Sequence, residues 1–92
     1  MIIRILGEGQ LDVPGERVGE LNVLDDRLLA AVDSADAAAF ASTLGELLAA
    51  VRRMGAPVAD SSLVTSDLVL PAPDADLSEV RAMLSDEGLI PG

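Results

Sequence analysis

The chain has 92 residues, enough for one domain but with little left over for a deep cleft, since a chain of this size buries somewhat over about 60% of the surface its unfolded form exposes. Its formal net charge is −10, from 16 acids and six arginines with no lysine. Such a balance repels nucleic-acid phosphates and anionic lipid heads and argues against direct binding to either. Cysteine and histidine are both absent, which removes the disulfide framework, the thiol nucleophile, and the commonest general base and metal ligand.

Hydrophobic residues make up 50% of the chain, but 14 of them are Ala and Phe40 is the one aromatic, so Leu, Val and Ile must fill the core. The opening Met1-Ile2-Ile3-Arg4-Ile5-Leu6 run is too short for the apolar stretch of a signal peptide. No stretch approaches the roughly 20 apolar residues of a membrane span. A cytoplasmic protein without direct membrane insertion is the expectation.

Ile2 to Leu6 and Gln10 to Val13 flank Gly7-Glu8-Gly9, the pattern of a β-hairpin. Pro14-Gly15 ends the second strand. From Arg17 to Asp33, Val18, Leu21, Leu24, Leu28 and Val32 recur at helical spacing with Leu29 beside them, while Glu20, Asp25 and Asp26 fall largely on the other side. Ser34 or Asp36 can cap a second helix, whose stripe is Phe40, Leu44, Leu47, Leu48, Val51 and Met54. Arg52 and Arg53 suit its last turn, Gly55 is placed for a left-handed cap, and Pro57 forbids continuation. Gly45 either permits a close backbone approach or is tolerated at a cost of about 1 kcal/mol relative to Ala. The short connection predicts an antiparallel pair of helices, each about 25 Å long.

After a Ser-, Thr- and Asp-rich stretch, Leu68 to Leu70 reads as a third strand, ended by Pro71 and so suited to a sheet edge. Asp76 with Glu79 three residues on resembles a capping box. Val80, Met83 and Leu84 give the last helix one apolar side, with Gly88 and Leu89 placed for a Schellman ending. The expected fold is α+β in a single domain, 1–92. An N-terminal β-hairpin and a short third strand pack on an antiparallel helical hairpin, with a short C-terminal helix.

Chemistry is sparse. Serines occur without His or Lys to activate them, and are better explained as caps and turn residues. Asp25-Asp26 and Asp86-Glu87 are adjacent, and adjacent helical residues do not face each other. Asp74-Ala75-Asp76 resembles the opening of a calcium loop but lacks its glycine and terminal glutamate in register. Gly7-Glu8-Gly9 lacks the third glycine and following helix of a phosphate loop. Asp60-Ser61-Ser62-Leu63 resembles the Asp-Ser-Leu motif of acyl carrier proteins, but an extra Ser intervenes and the N-terminal strands do not fit that all-helical fold. No catalytic residue, metal or cofactor is expected, and the chain is read as non-enzymatic.

Three segments carry a resemblance: Arg4-Ile5-Leu6-Gly7-Glu8-Gly9-Gln10 with Val13-Pro14, Ser66-Asp67-Leu68-Val69-Leu70-Pro71, and Leu84-Ser85-Asp86-Glu87-Gly88-Leu89-Ile90-Pro91-Gly92. With the Ala- and Leu-rich helices between them, the whole chain resembles the PspA-associated proteins called PspAA, small bacterial and archaeal proteins common in actinobacteria. The resemblance implies association with phage-shock protein A, a coiled-coil protein that remodels and protects stressed membranes. It implies an adaptor or regulator in the envelope stress response, brought to the inner face of the membrane through its partner. It carries over no catalytic residues.

Two surfaces suit a partner. One is a face of the helical hairpin, where Leu29, Leu47 and Leu48 widen the apolar stripe and Glu20, Asp25 and Asp26 frame it for a basic coiled-coil surface; the alternative is that these leucines are core and the acids a solvated face. The other is a sheet edge, Leu68 to Leu70 or the first hairpin, open to β-addition or to a homodimer. A different class remains beside both: a small homo-oligomeric ligand-binding or carrier domain unrelated to membrane stress.

Overall fold

An isoleucine-rich run and an alternating one, separated by a turn with two glycines, open the chain and form the expected hairpin. The computed structural model describes residues 1–59 and 64–83. Strand β1 spans Ile2–Ile5 and β2 spans Gly9–Asp12, antiparallel, with Ile3 opposite Leu11 and Arg4 opposite Gln10. Gly7 and Gly9 hold φ at +84° and +115°, angles that a side chain would strain, so the reversal depends on both. Met1 and Val13 exchange backbone bonds of 2.8 Å in each direction and lengthen the ladder by one step.

A single 3-10 turn, Gly15–Arg17, leads into α1, Val18–Asp33. The second helix, α2, spans Ala37–Met54 and is capped by Asp36, whose carboxylate accepts from the Ala39 N–H at 3.1 Å. Between them the backbone turns through Ala35 at φ +56°. The Ala35 N–H reaches the Val32 carbonyl and the Asp36 N–H reaches the Ala31 carbonyl, both at 3.1 Å. These are the two bonds of a Schellman ending, with alanine where glycine is usual. Leu21, Leu28 and Val32 of α1 meet Phe40, Leu44, Leu47, Leu48 and Val51 of α2 in one buried cluster.

The exit of α2 differs from expectation. Gly55 is not left-handed; it is extended, at φ −90° and ψ 152°. The reason it is glycine is proximity: a Cβ there would stand 2.9 Å from Leu11 Cβ and 2.9 Å from the Val51 carbonyl oxygen. The chain therefore leaves α2 straight into a two-residue strand that the sequence reading did not identify, β3, Ala56–Pro57, paired antiparallel to β2. Gly45, by contrast, faces open space, so it is tolerated and serves no close approach.

Strand β4, Leu68–Leu70, is present as expected and pairs in parallel with β1, Ile3 opposite Leu68 and Ile5 opposite Leu70. The sheet order is β3-β2-β1-β4, which puts β4 at an edge with Pro71 closing it. Alternation sends Ile3, Ile5, Leu68 and Leu70 to the helical side, where all are buried. The last described element, α3, spans Leu77–Met83. Asp76 accepts from the Glu79 N–H at 2.9 Å and from the Ser78 hydroxyl at 2.8 Å, Val80 is fully buried, and the Arg81 guanidinium donates to the Val32 carbonyl at 2.8 Å, tying α3 to the end of α1. The roles expected of Leu84, Gly88 and Leu89, and the Asp60-Ser61-Ser62-Leu63 string, lie outside the described residues.

Candidate interaction surfaces

The helical-hairpin surface is narrower than the stripe pattern suggests. Leu47 and Leu48 are fully buried between the helices and the sheet, and Leu29 is half-buried. Asp25 is a correction: it does not share the outer face with Asp26 but is 1% exposed and engaged inside the packed face of α1. Its spacing from Leu21, Leu28 and Val32 by four, three and seven residues puts it in their row. Of the six residues named for this surface, Glu20 and Asp26 are thus the two that stand in solvent. Glu20 is paired along the helix with Arg17 at 3.1 Å, and Arg27 crosses to Glu46 of α2 at 3.0 Å. Val23, 61% exposed, sits among them. Exposed pairs of this kind add little stability.

The opposite side of the sheet carries no helix among the described residues. Ile2 and Arg4 project from it along β1, Gln10 and Asp12 from β2, and Val69 from β4, and Leu6 follows directly after β1, its N–H bonded to the Leu70 carbonyl at 3.0 Å. Gln10 donates through Nε2 to the Val64 carbonyl at 3.1 Å and to the Ser66 hydroxyl at 2.7 Å, so residues 64–66 lie against this face over β2. Leu6 at 41%, Val64 at 44% and Val69 at 40% are three of the four large hydrophobic side chains exposed among the described residues. Arg4 stands in the middle of the cross-strand row, between Gln10 and Val69. Neither strand of the first hairpin offers a free edge along its whole length, because β2 is partly covered by β3 and β1 by β4. The outer edge of β4 is the one that matches the expected edge surface.

One open depression, about 320 Å³, lies at the hairpin turn between Glu8, Gly9, Gln10, Leu11, Arg52, Pro57 and Val58. Its charged wall is a two-pronged ion pair in which Arg52 Nε donates to Glu8 Oε1 at 2.8 Å and the second guanidinium nitrogen donates to Oε2. The hydrogen bonds from Arg52 hold the Glu8 carboxyl below its ordinary value and those to Glu8 hold Arg52 above its own. A general base at neutral pH needs a shift in the other direction. Asp76 is likewise lowered, chiefly by the Glu79 backbone bond. Among the described residues no three acidic side chains converge as a metal site would require, and no helix is long and apolar enough to cross a membrane.

No curated protein and no solved structure matches this chain. The family model of the PspA-associated protein, PspAA, matches residues 1–92, the whole chain.

Proposed function

This chain belongs to the PspA-associated protein family, and on that premise we propose that it works as a non-catalytic adaptor or regulator that binds a PspA-type membrane-stress protein. The whole-chain family match carries this reading, because the family is described by its association with PspA. The chemistry of the described residues supports it. There is no His or Cys, and the shifted acids are ion-paired or capping rather than poised near neutrality. The net charge of −10 favours arrival at an anionic membrane by way of the partner, with the protein otherwise in the cytoplasm. The alternative, a small homo-oligomeric ligand carrier, has the open depression beside Arg52 as its one structural support.

Size-exclusion chromatography with light scattering, on the protein alone and mixed with the PspA-type protein of the same organism, tests the reading. A shared peak is expected. Two separate peaks at micromolar concentrations would count against it. Sedimentation with anionic vesicles is expected to require that partner; sedimentation of the protein alone would remove the indirect recruitment.

A further inference from the structure

We infer that the helix-free face of the sheet is the partner-binding surface, and that its occupant is an amphipathic helix of the partner carrying a carboxylate in its apolar stripe, set opposite Arg4. This rests on the adaptor reading and names the surface and the chemistry it recognises.

The charge distribution is the first reason. The chain has 16 acids for six bases, so a guanidinium without a carboxylate neighbour is unexpected. Arg17, Arg27 and Arg52 each hold a glutamate, and Arg81 holds the Val32 carbonyl. Arg4 and Arg53 have no ion-pair partner among the described residues. Arg53 lies in the last turn of α2, where positive charge complements the helix dipole, which leaves Arg4, exposed on an interior strand of the sheet. The two acids nearest in register are occupied: Asp12 lies by the terminal ammonium, and Asp67 accepts from the Ile2 N–H at 2.8 Å. A cation kept clear of carboxylates in an acidic protein favours one brought by another molecule. Arg is suited to that contact because its fork pairs with a carboxylate through two bonds and it is shed of water more readily than Lys.

Shape and apolarity supply the second reason. Ile2 precedes Arg4 on this side of β1, Leu6 follows just past the strand's end, and Val69 flanks Arg4 across to β4. Isolated surface aliphatics need no explanation, but of the four large ones exposed among the described residues, Val69 lies on this face, Leu6 follows directly after β1, and Val64 belongs to the segment that meets Gln10. Residues 64–66 meet this face at Gln10 of β2, while Arg4 of β1 and Val69 of β4 remain exposed. Two strands about 5 Å apart match the roughly 10 Å width of one helix. A helix laid there would complete a sheet covered on both sides, the usual way a sheet buries two apolar faces. A second copy of this chain is a poorer fit, because a two-fold stacking of identical faces would bring Arg4 towards its own counterpart and add a second charge of −10.

The test is a titration of the PspA-type protein of the same organism with wild type, Arg4→Glu, Val69→Asp, Arg4→Gln and the helix-side double variant Glu20→Arg/Asp26→Arg. Circular dichroism and thermal melts of each variant establish that it is folded. Arg4→Glu and Val69→Asp are expected to weaken binding at least tenfold, Arg4→Gln by less, and the helix-side variant by under twofold. If all variants bind alike, or only the helix-side variant loses affinity, this surface is wrong and the adaptor reading stands. If wild type does not bind, the adaptor reading fails and takes this inference with it. A wild type that dimerises through this face, with Val69→Asp restoring the monomer mass, would make the occupant a second copy and overturn the partner helix.

Discussion

The two faces of the same four-stranded sheet have been given opposite work. On one, Ile3, Ile5, Leu68 and Leu70 are sealed under α1 and α2 with at most 8% exposure. On the other, one residue along in β1 and β4, Arg4 and Val69 stand in solvent, with Leu6 exposed just past β1. A shift of a single position therefore separates residues that hold the molecule together from residues that its own stability does not need. The open face keeps its aliphatic side chains all the same, which is what sets it apart from an ordinary solvated surface.

The sharpest way to break that contrast is to cut matching side chains on the two faces. Ile5→Ala should lower unfolding free energy by about 2–5 kcal/mol in urea titrations, whereas Val69→Ser should change it by less than about 0.5 kcal/mol. Equal losses would mean that the open face is also structural. Next in size is Gly55→Ala, which drives a methyl into Leu11 Cβ and the Val51 carbonyl. The expected cost is about 1–3 kcal/mol, and an unchanged denaturation midpoint would show that the helix–sheet junction yields. Gly45→Ala works in the opposite direction. With open space around it in the middle of α2, it should stabilise by about 1 kcal/mol or somewhat less, measurable as a raised melting temperature.

A small, pH-dependent effect is expected at the rim of the sheet. The folded Glu8 carboxyl is held below its unfolded value by Arg52, so the pair stabilises above the unfolded pKa and that contribution is lost as pH falls through the folded one. Because both side chains are substantially exposed, Glu8→Gln should cost under about 1 kcal/mol at neutral pH, and wild type and variant should converge at acid pH. Parallel stability curves from neutral to acid pH would show that the pair is not responsible.

Much of the covered face was legible from spacing alone. The leucine rows of both helices, Asp36 as one of two candidate caps with Ser34, and Leu68 to Leu70 as an edge strand ended by Pro71 all follow from local pattern, and local pattern is where these residues take their structure. Asp25 misled because its charge outweighed its position: the row from Leu21 to Val32 passes through it, and the spacing was the better guide. Gly55 and Ala35 exchange the roles that composition assigns, since Gly55 answers to Leu11 from another element and Ala35 to the geometry of a reversal that tolerates its methyl. The two residues of β3 carry no strand signal of their own and pair only because β2 is already there. The open face was missed for a related reason. No spacing says which side of a sheet the helices will leave bare, and the isolation of Arg4 becomes visible only when every other arginine has been placed.

The parallel pairing of β1 with β4 also sets an order of events at the ribosome. Hairpin and helices are built from neighbours in sequence and can form as they emerge. Ile3 must wait for Leu68, so β1 stays without its second neighbour until both helices and the segment carrying Leu68 have been made. During that interval the row of backbone groups that β4 will later cover is presented to the surroundings as a bare edge. A sequence this rich in negative charge gives such nascent chains a reason to stay apart.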